Sequence, residues 1–124
     1  MKFYVCKRCG NIIVYMEASG AKVVCCGEQM QELVANTTDA AQEKHVPVVT
    51  VNGSEVTAVV GSVAHPMLAE HSIRWIVLET NQGFMKKDLV VGEAPKATFQ
   101  LAEGETPVAV YEFCNLHGHW KTEL

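Results

Sequence analysis

The sequence predicts a mainly β protein in which a small cysteine-rich module precedes a seven-stranded antiparallel β-sandwich. Three observations support this prediction. Four cysteines lie within the first 26 residues, short β-prone segments separated by turns fill the chain from residue 46 onward, and no long stretch of helical periodicity interrupts them. The chain has 124 residues, which suits a single domain with a small module attached.

The predicted first domain, residues 1–36, is organised by its cysteines. Cys6-x-x-Cys9 and the adjacent pair Cys25-Cys26 are each followed by a glycine, and the β-rich segments "IIVYM" and "KVVCC" predict a hairpin between them. So short a segment cannot bury a sufficient core, so we expect a bound metal to supply much of its folding energy. Four thiolates suit Zn²⁺ or a single iron ion, and the spacing does not choose between them.

The predicted second domain, residues 37–124, carries the sandwich. Its first part, "NTTDAAQEKH", predicts one or two helical turns with a Thr or Asp cap, forming a linker. Asn52-Gly53 is a strong hairpin signal, and the later turns contain "NQG", "GEAPK" and "EGETP". The architecture predicted from this spacing is an immunoglobulin-like sandwich. Its seven predicted strands are "VPVVTV", "EVTAVV", "IRWIVLET", "FMKKDLVV", "ATFQLA", "VAVYEFC" and "HWKTEL".

Composition and charge exclude several classes of function. The net charge is -4 and no Lys/Arg cluster occurs, which argues against nucleic acid or an anionic membrane as a partner. No apolar run approaches the roughly 20 residues of a membrane helix. The N-terminus does not resemble a signal peptide, so we expect a cytoplasmic protein. Thiols stay reduced in that compartment, and clustered cysteines there indicate metal ligands before disulfides.

A second set of metal-ligand residues lies in the predicted sandwich. Four of the five histidines stand at the ends of predicted strands, where loops gather at the poles of a sandwich. The fifth cysteine, Cys114, lies beside His117 and His119 in "CNLHGHW". Imidazole suits iron, zinc and copper alike, so these ligands alone leave the metal open. Iron with imidazoles and one thiolate is chemically reasonable, because the thiolate donates electron density to the metal.

With these motifs in view, the sequence resembles the desulfoferrodoxin family, the two-iron form of superoxide reductase. "YVCKRCGNIIVYMEASGAKVVCCGEQM" is similar to that family's desulforedoxin-like module. "EKH", "AHPMLAEHSIRWIVLET" and "CNLHGHW" are similar to its other motifs and occur in the same order. The resemblance covers nearly the whole chain.

The resemblance implies two iron ions per chain. The ligands implied for the first iron are Cys6, Cys9, Cys25 and Cys26. The ligands implied for the second, catalytic iron are equatorial His45, His65, His71 and His117 and axial Cys114. Glu43 matches the family's carboxylate that can occupy the open position, and Lys44 matches the cation beside the incoming anion. The Cys-x-x-His spacing selects His117, and we expect His119 to lie beside the ligands or at the surface.

The implied reaction is the one-electron reduction of superoxide to hydrogen peroxide, with rubredoxin as the usual electron donor and a homodimer as the usual assembly. Two alternatives remain open from the residues. One is an electron carrier that uses only the four-cysteine iron, and the other is a zinc-stapled module on a domain that binds a partner. Iron content and colour distinguish all three, because only the first interpretation requires two irons.

Overall fold

The computed structural model describes residues 1–124 and confirms a mainly β protein with one helix of four residues. The chain divides into two compact units, Met1–Val34 and Ala35–Leu124. No helix of the protein has the length and apolar character needed to cross a membrane.

The first unit is a small three-stranded sheet with a separate hairpin. The sheet has the order β2-β1-β5, and β3 pairs with β4. The predicted hairpin between "IIVYM" and "KVVCC" is therefore wrong, because each segment pairs with a different strand around a tight cysteine turn. The strands are β1 (Phe3–Val5), β2 (Ile12–Ile13), β3 (Val24–Cys25), β4 (Glu28–Gln29) and β5 (Gln31–Leu33).

The second unit contains the helix and all seven predicted strands. The helix, α1, spans Gln42–His45 and begins after Ala41, which makes no side-chain cap, so the predicted Thr or Asp cap is wrong. The hairpin at Asn52-Gly53 is present, with Gly53 in the left-handed region at φ 61°. The strands are β6 (Pro47–Asn52), β7 (Glu55–Val60), β8 (Ile73–Thr80), β9 (Gly83–Asp88), β10 (Lys96–Gln100), β11 (Pro107–Cys114) and β12 (Gly118–Glu123).

Two antiparallel sheets, β10-β7-β6 and β12-β11-β8-β9, form this unit. Alternate residues of the strands point into one apolar core, as the period of two requires. On β7, for example, Val56, Ala58 and Val60 are fully buried. The core also includes Met67, Ile73, Ile76, Leu78, Ala97, Phe99, Val110 and Cys114.

One end of the sandwich collects the chain segments that carry histidines. β7 ends at Val60, β8 begins at Ile73, and β11 ends at Cys114, which pairs with both Ile73 and Gly118 at the start of β12. Because neighbouring antiparallel strands start and end at the same edge, the connections between these strands meet there. The fold therefore brings residues distant in sequence to one pole.

Candidate metal centres

The pole of the sandwich holds a cluster of five side chains that can act as metal ligands. His45 ends α1, and His65 and His71 lie on the connection between β7 and β8. Cys114 ends β11, and His117 lies in the turn before β12. One nitrogen or sulfur from each side chain lies within 4.8 Å of all the others. All five implied ligands of the catalytic iron are thus brought together.

The four imidazole rings form a closed square. Successive ring centroids are 4.6–5.0 Å apart around the sequence 45, 65, 71, 117 and back to 45, and successive ring planes stand 71–86° from one another. The Cys114 sulfur is the fifth donor, 3.5 Å from Nε2 of His65 and 3.9 Å from Nδ1 of His117. Four nitrogens around a centre with one sulfur beside them is the donor set that the sequence resemblance implies.

The spacing of these donors matches a single metal ion. Ligands bound at about 2.0–2.3 Å are about 3 Å apart when adjacent and about 4.5 Å apart when opposite. Nε2 of His45 lies 3.2 Å from Nε2 of His65 and 3.2 Å from Nδ1 of His117. Nε2 of His71 is buried and has no hydrogen-bond partner. A cation at the centre would satisfy this nitrogen, so the residues fit a bound metal.

Hydrogen bonds on the outer side of two rings fix which nitrogen carries the proton. Nδ1 of His45 lies 2.7 Å from the Ala41 carbonyl, and Nδ1 of His65 lies 2.7 Å from the Pro66 carbonyl. A carbonyl only accepts, so both Nδ1 atoms donate and both Nε2 atoms carry lone pairs while the rings are neutral. Two lone pairs facing each other at 3.2 Å cannot form a hydrogen bond with each other. This arrangement calls for a cation between them.

Burial keeps three of these rings neutral near pH 7. Desolvation lowers the pKa of His45 and of His71, and it lowers the pKa of His65 to about 4. Neutral imidazole is the form that binds metal. Burial also raises the pKa of Cys114, so metal binding must displace its proton.

Glu43 and Lys44 lie on α1 directly before His45 and are exposed. The Glu43 carboxylate is not part of the donor cluster. Its backbone carbonyl accepts hydrogen bonds from the Val63 N–H at 2.9 Å and from the Ser62 hydroxyl at 3.2 Å. Burial is the main cause of the lowered pKa of His71, and the charge of Lys44 adds to it in the same direction.

His119 is not one of the clustered ligands. Its ring is buried, its Nδ1 donates to the Glu112 carbonyl at 3.1 Å, and it stacks on Tyr111 with centroids 5.5 Å apart. Burial lowers the pKa of His119 to about 4. Its neighbour across the strand pair is Phe113, the residue before Cys114, so its side chain lies on the opposite face of the sheet.

Two further residues support the cluster and were not predicted from sequence. Trp120 stacks on His45 with ring centroids 4.9 Å apart, and its indole N–H donates to the His117 carbonyl at 3.1 Å. Asn115 hydrogen-bonds to the backbone on both sides of His71. Both lie within "CNLHGHW". The sequence signal that could have identified them is their proximity to Cys114 and His117.

The first unit holds the second donor cluster, in which four cysteine sulfurs lie within 4.8 Å of one another. The Cys9 and Cys25 sulfurs are 3.6 Å apart, close to the roughly 3.7 Å between thiolates bound tetrahedrally at about 2.3 Å. Cys26 adopts φ 52°, a left-handed conformation unusual for a non-glycine residue. This backbone conformation lets two adjacent cysteines turn toward one centre.

The ionisation of these four cysteine thiols also requires a bound cation. Hydrogen bonds, first of all from the Cys9 backbone N–H, lower the pKa of Cys6 to about 6. The neighbouring sulfurs, first of all that of Cys9, raise the pKa of Cys26 to about 12. Four thiolates therefore repel one another unless a metal neutralises part of their charge.

Comparisons with known proteins agree with both clusters. A family model described as "Desulfoferrodoxin" matches residues 37–123, and one described as "Desulfoferrodoxin, N-terminal domain" matches residues 1–33. The desulfoferrodoxin of Nitratidesulfovibrio vulgaris is 48% identical, covering 98% of this chain and 95% of that protein. The desulfoferrodoxin of Clostridium acetobutylicum is 41% identical, covering 100% of this chain and 97% of that protein.

Solved structures show the same relationship. The superoxide reductase of Treponema pallidum superposes with a TM-score of 0.82 at 41% identity, covering 98% of both chains. The one-iron superoxide reductase of Giardia intestinalis superposes with a TM-score of 0.54 at 30% identity, covering 66% of this chain and 99% of that chain.

Proposed function

The chain belongs to the desulfoferrodoxin family, and we infer from its five-ligand site that it is a superoxide reductase. The reaction consumes superoxide, one electron and two protons and yields one molecule of hydrogen peroxide. The observation that carries this conclusion is the pair of facing Nε2 lone pairs of His45 and His65, 3.2 Å apart inside a cluster that also contains a cysteine sulfur. Neither a partner-binding module nor a carrier with one metal requires such an arrangement.

We propose specific metal-binding roles for the clustered residues. The first iron is held by Cys6, Cys9, Cys25 and Cys26. The catalytic iron is held by Nε2 of His45, His65 and His71, Nδ1 of His117, and the sulfur of Cys114. When bound, the catalytic iron supplies the single electron that superoxide takes up. Cys114 contributes the only anionic ligand, and its electron donation favours release of the reduced product.

The polypeptide attracts and orients the anionic substrate through Lys44. The protein carries a net charge of -4, which would repel superoxide at long range. Lys44 is exposed on α1 and directly precedes the proposed ligand His45. We propose that this ammonium concentrates superoxide at the site. Exposed water can supply both protons, and the Lys44 ammonium stabilises the negative charge until they are transferred.

Glu43 is proposed to act after reduction. Its carboxylate is exposed, while its carbonyl is held by Val63 and Ser62, so the side chain can move without moving the backbone of α1. We propose that this carboxylate approaches the oxidised site and helps displace the product.

The wider setting is proposed on family resemblance. We propose rubredoxin as the electron donor and a homodimer as the assembly. A cytoplasmic location is proposed because all five cysteines are free and both metal sites require reduced thiols. The proposed domains, residues 1–36 and 37–124, are supported by compact units that divide after Val34 and by family matches that end at residue 33 and resume at residue 37.

Iron analysis combined with superoxide kinetics tests the function. We expect two irons per chain and second-order consumption of superoxide, generated by pulse radiolysis, with peroxide as the product. One iron and no reaction with superoxide would indicate an electron carrier, and a colourless protein with one zinc would indicate a binding module. Either result would refute the proposed function.

A further inference from the structure

We propose that Asn115 is a positioning residue that clamps the loop carrying His71 to the turn carrying Cys114 and His117. The inference rests on the metal-binding role proposed above for these three residues. In this proposal the Asn115 carboxamide sets the distance between His71 and the Cys114 sulfur.

The clamp consists of three hydrogen bonds. Asn115 Oδ1 accepts from the Ser72 backbone N–H at 2.9 Å, and Asn115 Nδ2 donates to the Glu70 carbonyl at 2.9 Å. The Asn115 backbone N–H also donates to the Ser72 carbonyl at 3.2 Å. One side chain therefore holds the residues immediately before and after His71. The planar amide fixes both contacts at once, because its donor and acceptor are rigidly linked.

His71 is only half-buried and needs such support more than the buried rings of His45 and His65. His45 and His65 are each oriented by a bond of 2.7 Å from Nδ1 to a carbonyl. The His71 ring has no equivalent hydrogen bond, and its buried Nε2 has no partner. Its position depends on its backbone, which is held by reciprocal bonds with Leu68 of 2.8 and 3.2 Å and by Asn115.

The regular sheet does not provide this distance. The pairing of β8 with β11 shifts register at its end, where Phe113 faces Trp75 but Cys114 faces Ile73. The shift leaves Arg74 without a partner residue on β11 and interrupts the regular ladder just before the ligand-bearing connections. Beyond this irregularity the Asn115 side chain adds two hydrogen bonds between the connection that carries His71 and the turn that carries His117.

A matched control lies at the other end of β8. The Asn81 side chain accepts from the Thr106 N–H at 2.8 Å and donates to the Gly104 carbonyl at 3.2 Å. It makes the same two types of bond to a neighbouring loop. β8 contains eight residues, which span roughly 26 Å at about 3.3 Å per residue. Asn81→Ala therefore removes the same contacts far from the ligands.

The test compares Asn115→Ala with Asn81→Ala in the full iron-loaded protein. A ferrous chelator is titrated against each with the catalytic iron reduced, and the iron retained is then measured after reoxidation by the thiolate-to-iron absorption of the oxidised site. Loss of a residue that orients a ligand weakens metal binding by about 10- to 100-fold, and we expect this loss, with a shifted absorption maximum, for Asn115→Ala. For Asn81→Ala we expect wild-type retention and an unshifted maximum. The four-cysteine iron, with its own absorption, reports the integrity of the first unit, and a thermal melt of each sample reports whether the sandwich is folded.

Two results would overturn the inference. One is wild-type iron retention and an unshifted maximum in Asn115→Ala, and the other is an equal loss in Asn81→Ala. If Asn115→Ala does not fold, Asn115→Asp carries the test, because it keeps the acceptor and loses the donor to Glu70. Its expected loss is smaller but measurable, and unchanged retention there would also overturn the inference. Failure of the proposed function is distinguishable, since the wild-type protein itself would then lack the second iron.

Discussion

Gly61 packs directly against the backbone of Glu43 and Lys44. The substitution Gly61→Ala tests whether this close packing positions Lys44. Gly61 is buried, and a Cβ built on it would lie 2.6 Å from the Glu43 carbonyl oxygen and 3.0 Å from the Lys44 carbonyl carbon. Non-bonded heavy atoms reach their optimal separation at about 3.5 Å, so the α1 backbone or the turn must move by roughly 0.9 Å. Backbone atoms, unlike the end of a flexible side chain, cannot yield locally.

Two effects of Gly61→Ala follow from this displacement. Overpacking of this kind costs about 1–3 kcal/mol, which corresponds to a fall in melting temperature of about 4–8 °C per kcal/mol. Misplacement of a functional group by about 1 Å can reduce a rate by up to about 100-fold. We expect roughly a tenfold slower reaction with superoxide, measured by pulse radiolysis, because Lys44 moves with the displaced peptide.

Ala58→Val provides the control for destabilisation alone. Ala58 is fully buried on β7, three positions before Gly61 on the chain, and its added methyl groups overpack the core instead of the α1 segment. We expect a similar loss of stability with an unchanged superoxide rate. Gly61→Ala with wild-type stability would refute the close-packing argument. If Gly61→Ala reduces stability but leaves the superoxide rate at the wild-type value, the packing against Gly61 does not position Lys44.

Three further predictions concern individual residues of the site. Lys44→Ala should slow superoxide capture by roughly three- to tenfold and flatten its dependence on ionic strength. Lys86→Ala on β9 should change neither the rate nor its dependence on ionic strength. Equal effects of the two substitutions would rule out local steering by Lys44. His117→Ala should remove the catalytic iron. His119→Ala should keep the absorption band of that iron and lower stability by about 1–3 kcal/mol through loss of a buried hydrogen bond. Loss of iron in both variants would contradict the assignment of His117 alone as the ligand. Cys114→Ser should abolish the thiolate-to-metal absorption of the oxidised site, and a surviving band would identify another sulfur ligand.

The strands of the second unit were predictable because their signals are local. The turn signal at Asn52-Gly53 marks the hairpin, whose two loop residues are Gly53 and Ser54 because Asn52 pairs with Glu55, and the alternation in β7 specifies which face is buried. The strand pairing of the first unit was not predictable, because β2 and β3 are each only two residues long. Segments this short take their pairing from the turns around the cysteines and not from their own β propensity.

The candidate ligands were accessible from sequence only because their motifs resemble those of a known family. Spacing alone left the metal open. The residues that support the ligands were not accessible in the same way. Asn115 bonds to residues 43 and 45 positions away in sequence, and Gly61 contacts a backbone 18 positions away. Such contacts depend on which loops meet at the pole, and a single sequence contains no local signal for them.

The two metal centres differ in how far the protein alone prepares the ligands. In the sandwich, desolvation keeps His45 and His65 neutral, and backbone carbonyls aim their lone pairs inward, so the fold prepares the site before metal arrives. In the first unit, Cys9 and Cys26 are exposed and the sulfurs oppose one another's ionisation, so the metal must assemble the site. A centre prepared by the fold can keep its ligand geometry when the charge of its metal changes by one electron. This property suits the sandwich site to the catalytic step, and it gives supporting residues such as Asn115 a role that the cysteine centre does not require.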